Sequence, residues 1–233
     1  MFTQLSRGFR RTGPILAIVA LLAFSAAPVS ADTTPGGDGT YTQSGASAEA
    51  WSQECVANDD ATTTCSSLGI SAFSGRISDS FSGRTHGSQV CASLETFTFD
   101  DETGESVGEP LFENGCLVDL PRGVLAFDRK LTSFSVAPTT LTISQLVCDE
   151  ETCEIVSARD VVVEGTWTGF GSIQTGKSHS SYGDDLCRYA ETSKQTWREA
   201  DVDASIDAVA FPDEAYGTIS NGRSTFRSRC DET

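Results

Sequence analysis

The sequence predicts an all-β protein, a disulfide-stabilised β-sandwich or barrel-like fold, and three observations indicate it. Apolar and polar side chains alternate over most of the chain, which is the two-residue period of a half-buried strand. Eight cysteines are spread along the sequence. Glycine occupies 21 of 233 positions, and no segment combines helical periodicity with helix caps. Many strands joined by tight turns are typical of sandwiches and barrels.

The alternation locates individual strands. They are expected at Leu94–Phe99, Gly123–Asp128, Leu131–Val136, Leu141–Cys148, Ile155–Phe170, Tyr189–Val209 and Tyr216–Cys230. Clusters of turn-forming residues separate them at 100–110, at Ala137–Thr140 and at Phe211–Gly217.

The last two strands permit a prediction of register. Acidic residues alternate along the first of them and arginines alternate along the second. A turn centred near Ala215 would place Asp203 opposite Arg227 and Asp201 opposite Arg229. Opposite charges across a strand pair stabilise it, so we expect these contacts to select the register.

The N-terminal segment Met1–Ala31 has the composition of a signal peptide. Three arginines precede an apolar run at Ile15–Phe24, and small residues follow up to Ala31. The apolar run is shorter than the roughly 20 residues that a membrane-spanning helix needs. We therefore expect a secreted or periplasmic protein, with a flexible segment at 32–39 and an all-β domain at 40–233.

The charge of the chain bears on its partners. All 33 acidic residues and all but three of the 16 basic residues follow Ala31, and the formal net charge of the whole chain is −17. A strongly acidic protein repels phosphate backbones and anionic lipid. The average charge therefore disfavours nucleic acid and membrane surfaces as partners and leaves an extracellular ligand, carbohydrate or protein.

The eight cysteines predict disulfides. Their number is even, the chain is expected to be exported, and no Cys-x-x-Cys motif indicates a redox or zinc site. Two pairs flank polar turn-like segments, which leaves two further pairs as the simplest remainder. The expected bridges are Cys55–Cys65, Cys148–Cys153, Cys91–Cys116 and Cys187–Cys230.

The chain also shows signs of duplication into two halves, near 40–134 and 135–230. Gly83–Ser88 in the first half is similar to Gly176–Ser181 in the second, and each segment contains one of the two histidines, His86 and His179. Chance similarity in a chain rich in serine and glycine is the alternative explanation.

One segment matches a phosphate-binding loop but lacks its context. Gly171–Ser178 fits G-x-x-x-x-G-K-[ST], yet the residues after it are loop-like and do not begin a helix that could face a phosphate. No G-x-S-x-G or H-E-x-x-H motif is present either. We therefore predict a non-enzymatic protein without a cofactor.

The candidate binding residues are the two histidines and three aromatic residues. His86 and His179 could lie on one rim, but no short spacing fixes two metal ligands on one element, so no metal site is predicted. Trp51, Tyr182 and Trp197 could stack on a sugar or on another protein. The expected function is binding, or a role as an envelope or extracellular component. The alternative is a secreted hydrolase with a site assembled from distant residues around His86 or His179.

Overall fold

The computed structural model describes residues 39–80, 83–148, 153–183 and 187–230, without the side chains of residues 146, 148, 153 and 154. Within these ranges the protein is all-β, as predicted, and has no helix. Its strands are β1 Gly39–Ala57, β2 Thr62–Asp79, β3 Gly83–Asp100, β4 Leu111–Val118, β5 Leu125–Phe127, β6 Ser133–Cys148, β7 Cys153–Gly169, β8 Gln174–Gly183, β9 Cys187–Ile206, β10 Val209–Ala210 and β11 Tyr216–Cys230.

Eight of the strands pair in a closed circuit. The antiparallel neighbours follow chain order through β1, β2, β3, β4, β6, β7, β9 and β11, and β11 then pairs with β1. This circuit, which we call the ring, is consistent with the barrel-like alternative of the predicted fold. The narrowest junction is between β4 and β6, where only two residue pairs are in register.

Several strands are longer than the ring and continue beyond it as an open sheet. In β9, residues 200–206 pair with β7 in the ring, whereas residues 188–197 pair with β8. The extended parts form a six-stranded sheet in the order β8-β9-β11-β1-β2-β3. We call this sheet the wing and define it by residues 39–45, 75–79, 83–88, 174–183, 187–197 and 222–230.

The core of the ring combines small side chains on one strand with large aromatic side chains on others. Alternate residues of β1, which are Ala46, Ala48 and Ala50, are buried. Trp167 is fully buried, and its indole N–H donates a hydrogen bond of 2.8 Å to the Glu49 carbonyl oxygen on β1. Small side chains on β1 leave room for the large indole of Trp167, and pairing small with large side chains in this way gives interiors their native packing density.

A row of glycines crosses the wing next to the ring. Gly45 lies opposite both Gly222 and Gly75, and Gly75 lies opposite Gly87. A Cβ atom on Gly45 or Gly75 would lie 2.9 or 2.6 Å from the ring of Phe73, which is only 7% exposed. Glycine in a strand interior marks a close approach of this kind. The row therefore allows Phe73 to cover the outer side of the sheet.

Two segments that the sequence assigned to loops are strands. Ala137–Thr140 lies inside β6, where a register shift between Val136 and Thr139 accommodates one extra residue. A bulge, rather than a turn, therefore joins the two strands predicted there. Residues 178–183, which belong to the stretch that looked loop-like, lie within β8.

The predicted register of the last two strands is wrong. Arg227 lies opposite Ala190 and Arg229 lies opposite Arg188. Asp201 and Asp203 instead pair with β7. The chain turns at Asp207 and Ala208, whose φ angles are 53° and 67°, and not near Ala215. Left-handed backbone at a residue other than glycine gives little signal in a sequence.

Three of the four expected disulfides are present: Cys55–Cys65, Cys91–Cys116 and Cys187–Cys230. Each joins residues directly opposite on neighbouring strands. The backbones of Cys148 and Cys153 are also opposite each other, but their side chains lie outside the described residues.

The expected signal peptide at Met1–Ala31 and all but the last residue of the segment 32–39 lie outside the described residues. Gly39 already belongs to β1. Nowhere in the described ranges is there a helix with the length and hydropathy that crossing a membrane requires.

Candidate binding face

All basic residues of the wing lie on one of its faces. Directly paired residues of an antiparallel sheet share a face, and successive residues alternate between faces. By this register the face is continuous with the buried side of β1 and carries eight exposed bases. They are Arg76, Arg84, Lys177, Arg188, Lys194, Arg223, Arg227 and Arg229. We call this surface the basic face.

The charges of the basic face are not neutralised by acidic residues of the wing. The wing contains two acids, Asp79 and Glu191, and both point to the opposite face. Within the described ranges, both salt bridges belong to Arg159, which lies in the ring. A concentration of positive charge on an acidic protein attracts anions to one place on its surface.

Five of the cationic or imidazole side chains lie in a single cross-strand row. The pairs run from Lys177 to Lys194, to Arg223, to Ser44, to Arg76 and to His86. Five steps between strands at about 4.8 Å make this row about 24 Å long. We call it the cation row. Its sixth member is Ser44 on β1, which carries a hydroxyl group.

A shallow groove lies where the cation row crosses β9 and β11. It has a volume of about 510 Å³ and is lined by Thr192, Ser193, Lys194, Thr196, Asn221, Gly222, Arg223 and Thr225. Next to the cation row runs a row of threonines, in which the hydroxyls of Thr42 and Thr225 lie 3.3 Å apart and share a hydrogen bond. The groove thus combines cations with groups that donate and accept hydrogen bonds.

The two histidines predicted as binding residues lie on the basic face, at its opposite edges. His86 is on β3 opposite Arg76, and His179 is on β8 opposite Thr192. Five strand spacings separate the two strands, about 24 Å along the sheet. The described residues contain no group of three or more His, Cys, Asp or Glu side chains placed to hold a metal ion.

The three aromatic candidates lie on the outer surface, opposite the basic face. Trp51 is 45% exposed and lies opposite Tyr216, and Tyr182 is 59% exposed and stacks on Tyr189 with ring centroids 5.2 Å apart. Trp197 is half-buried, and a Cβ on Gly176 would lie 2.9 Å from its ring. The five predicted binding residues are therefore not brought into one site.

The segment that matches a phosphate-binding loop has another geometry. Within Gly171–Ser178, residues from Gln174 onward form the first half of β8, and no helix follows in the described ranges. The phosphate-binding geometry requires a helix N-terminus at this point. Lys177 instead forms one end of the cation row.

The ring contains a different charged cluster, whose members pair with one another. Arg159 donates two hydrogen bonds to the carboxylate of Glu113, with distances of 3.1 and 3.0 Å. A third, of 3.4 Å, goes to Asp207. The two hydrogen bonds that Glu113 accepts from Arg159 lower the pKa of Glu113. Since the pair is internally satisfied, we interpret it as structural.

The sequence contained a signal for the basic face that alternation alone does not reveal. Members of the cation row stand next to glycines in the sequence, as in Gly75-Arg76, Gly176-Lys177, Gly222-Arg223 and His86-Gly87. Because adjacent residues of a strand face opposite ways, such dipeptides place a base on one side and a bare backbone on the other. Only the register shows that they are aligned.

Comparison with known proteins identifies no family. No family model matches the chain, and no curated protein matches it. Among solved structures, a crystal structure from Nitrosomonas europaea that is provisionally described as AttH aligns with 9% identity over 84% of this chain and 52% of that chain, about half of its length. The TM-score is 0.14, which carries no argument about fold or function.

Proposed function

We propose that this is an extracytoplasmic, non-enzymatic binding protein that holds an anionic ligand on the basic face of its wing. The observation that carries the proposal is the segregation of charge. Eight exposed bases share one face with no described acid, although the chain as a whole has a net charge of −17.

The extracytoplasmic location rests on the N-terminal sequence and on the disulfides. Three cross-strand bridges are compatible with an oxidising compartment. The binding role rests on the accessibility of the groove and on the lack of salt bridges between the bases around it and any acidic residue that the structure describes. The negative remainder of the molecule keeps the protein soluble and directs anions towards the wing.

The proposal is tested by chromatography of the purified protein on immobilised dextran sulfate with a sodium chloride gradient. We expect the protein to be retained at low salt despite its acidic composition. The double variant Lys194→Gln/Arg223→Gln should elute earlier. Its affinity should fall by about 30-fold, since each base near an anionic surface contributes about 1 kcal/mol.

A matched control removes the same charge elsewhere. Arg122→Gln/Arg129→Gln alters two exposed arginines that lie outside the wing, in the connections around β5. This control should elute with the wild-type protein. Failure of the wild-type protein to bind, or equal effects of the two double variants, would contradict the proposal.

A further inference from the structure

We infer that the ligand of the basic face is an acidic polysaccharide whose chain lies along the cation row, across the strands. This inference rests on the proposed function and specifies the ligand class and its orientation. Its basis is the alignment of Lys177, Lys194, Arg223, Arg76 and His86 in one register row.

The distribution of charge favours a path across the strands over a path along one of them. Along β9 the basic face presents two bases, Arg188 and Lys194, and along β11 it presents three, Arg223, Arg227 and Arg229. Alternate positions of a strand lie about 6.8 Å apart, so each of these strands spreads its bases over about 20 Å. Across the strands, Lys177, Lys194 and Arg223 follow at each step of about 4.8 Å.

The length of the row favours a polymer over a single small anion. A single carboxylate or sulfate reaches the bases of two or three neighbouring strands at most, whereas the row extends for about 24 Å. The groove that the row crosses is open and shallow, and its wall is formed by two adjacent strands, β9 and β11. A linear chain with repeated anionic groups contacts successive members of the row.

The side chains beside the row favour a polysaccharide over nucleic acid or a lipid bilayer. Ser44, Thr42, Thr192 and Thr225 supply hydroxyls for hydrogen bonds to sugar hydroxyls. The described residues of the basic face include no Phe, Tyr or Trp on which nucleobases could stack, and Ala190 is the only apolar side chain among them. A surface whose only apolar side chain is a single methyl group has too little apolar area to insert into a membrane.

The test measures affinity for a size series of oligogalacturonates, from the monomer upwards, by isothermal titration calorimetry. We expect affinity to rise steeply with chain length until the chain spans about 24 Å, and only weakly beyond it. Lys194→Gln/Arg223→Gln should weaken the long oligomers by about 30-fold. Arg188→Gln/Arg229→Gln removes the same charge from the basic face outside the row and should weaken them several-fold less.

Each other outcome overturns part of the account. Equal losses in the two double variants would indicate a diffuse field rather than a row. Monomers that bind as tightly as long chains would indicate a single-anion site. Tighter binding of single-stranded DNA of equal charge, or of phosphatidylglycerol vesicles, would contradict the ligand class. These results would leave the proposed function in place, whereas absence of binding to every anion would refute that function as well. Thermal unfolding of each variant verifies that it is folded.

Discussion

Lys177, Lys194 and Arg223 stand directly beside one another on three neighbouring strands. Like charges in directly opposed positions destabilise a sheet, and no described acid offsets them on this face. The arrangement therefore works against the stability of the wing. A ligand that brings negative charge to the row removes this repulsion, so that binding and stability are coupled.

The first prediction concerns the repulsion within the row. Lys194→Gln removes the base that lies between Lys177 and Arg223 and should increase the free energy of unfolding by up to about 1 kcal/mol at low ionic strength. The gain should disappear in concentrated salt, which screens exposed charges. Urea denaturation at both salt concentrations measures it. Lys130→Gln, outside the wing, is the control, and an equal gain there would contradict the interpretation.

The second prediction concerns the Glu113–Arg159 pair in the ring. The hydrogen bonds from Arg159 lower the pKa of Glu113, whose side chain is 13% exposed. A carboxyl group with a lowered pKa in the folded state stabilises the protein above its unfolded pKa of about 4.3. This contribution is lost as the pH falls through the lower, folded pKa.

We therefore expect Glu113→Gln to reduce the free energy of unfolding at neutral pH, because it removes the charge that Arg159 binds. The loss should be no more than about 1 to 2 kcal/mol, since Arg159 is 43% exposed and solvent screens the pair. The difference from the wild type should shrink as the pH falls below about 4. Denaturation across this pH range measures the effect. Glu109→Gln, on an exposed loop, is the control. A difference independent of pH would show that the charge of Glu113 is not involved.

Among the strands, the glycine row is the feature on which the shape of the wing depends. Gly45, Gly75, Gly87 and Gly222 stand in register on four strands, and Phe73 packs over them on the outer side. The basic face lies on the other side of the same backbone. Neighbouring residues of β2, β3 and β11 therefore combine close packing on the outer side with cationic or imidazole side chains on the basic face.

The third prediction tests this packing. Gly75→Ala places a Cβ 2.7 Å from the Gly45 Cα and 2.6 Å from the Phe73 ring, so that backbone or ring must move. Overpacking of this kind costs about 1 to 3 kcal/mol. Ser71→Ala, on the same strand and the same face, should change stability much less. Thermal unfolding compares the two, and equal stability of Gly75→Ala and Ser71→Ala would contradict the proposed role of the row.

At this scale the sequence predicted strands better than their partners. Alternation located β7 and β11, and the cysteine spacing indicated three bridges that the structure contains. It assigned no strand to β1, β2 or β4, and it did not reveal β8, whose polar, exposed residues lack an alternating pattern. The register between β9 and β11 was also missed, because the turn uses left-handed Asp207 and Ala208 instead of glycine or asparagine.

Over the whole molecule, average charge and local charge point to different partners. The composition, with 33 acids, indicates a protein that repels anions. The fold instead collects bases from β2, β3, β8, β9 and β11 on one face, which no count of residues can reveal. The histidines were predicted as binding residues and lie on that face, but which residues stand beside each of them depends on long-range strand pairing. The half-repeat stays a prediction, although its two matching segments form the two edges of the wing.

The central claim, that the basic face binds a polyanion, is tested most directly by lysine footprinting. The chain contains three lysines, Lys130, Lys177 and Lys194, and all three are exposed. The protein is acetylated with and without dextran sulfate, and modification of each lysine is measured by mass spectrometry. We predict that the polyanion protects Lys177 and Lys194 while Lys130, outside the wing, reacts at the same rate. Equal protection of all three lysines, or protection of Lys130 alone, would contradict the account.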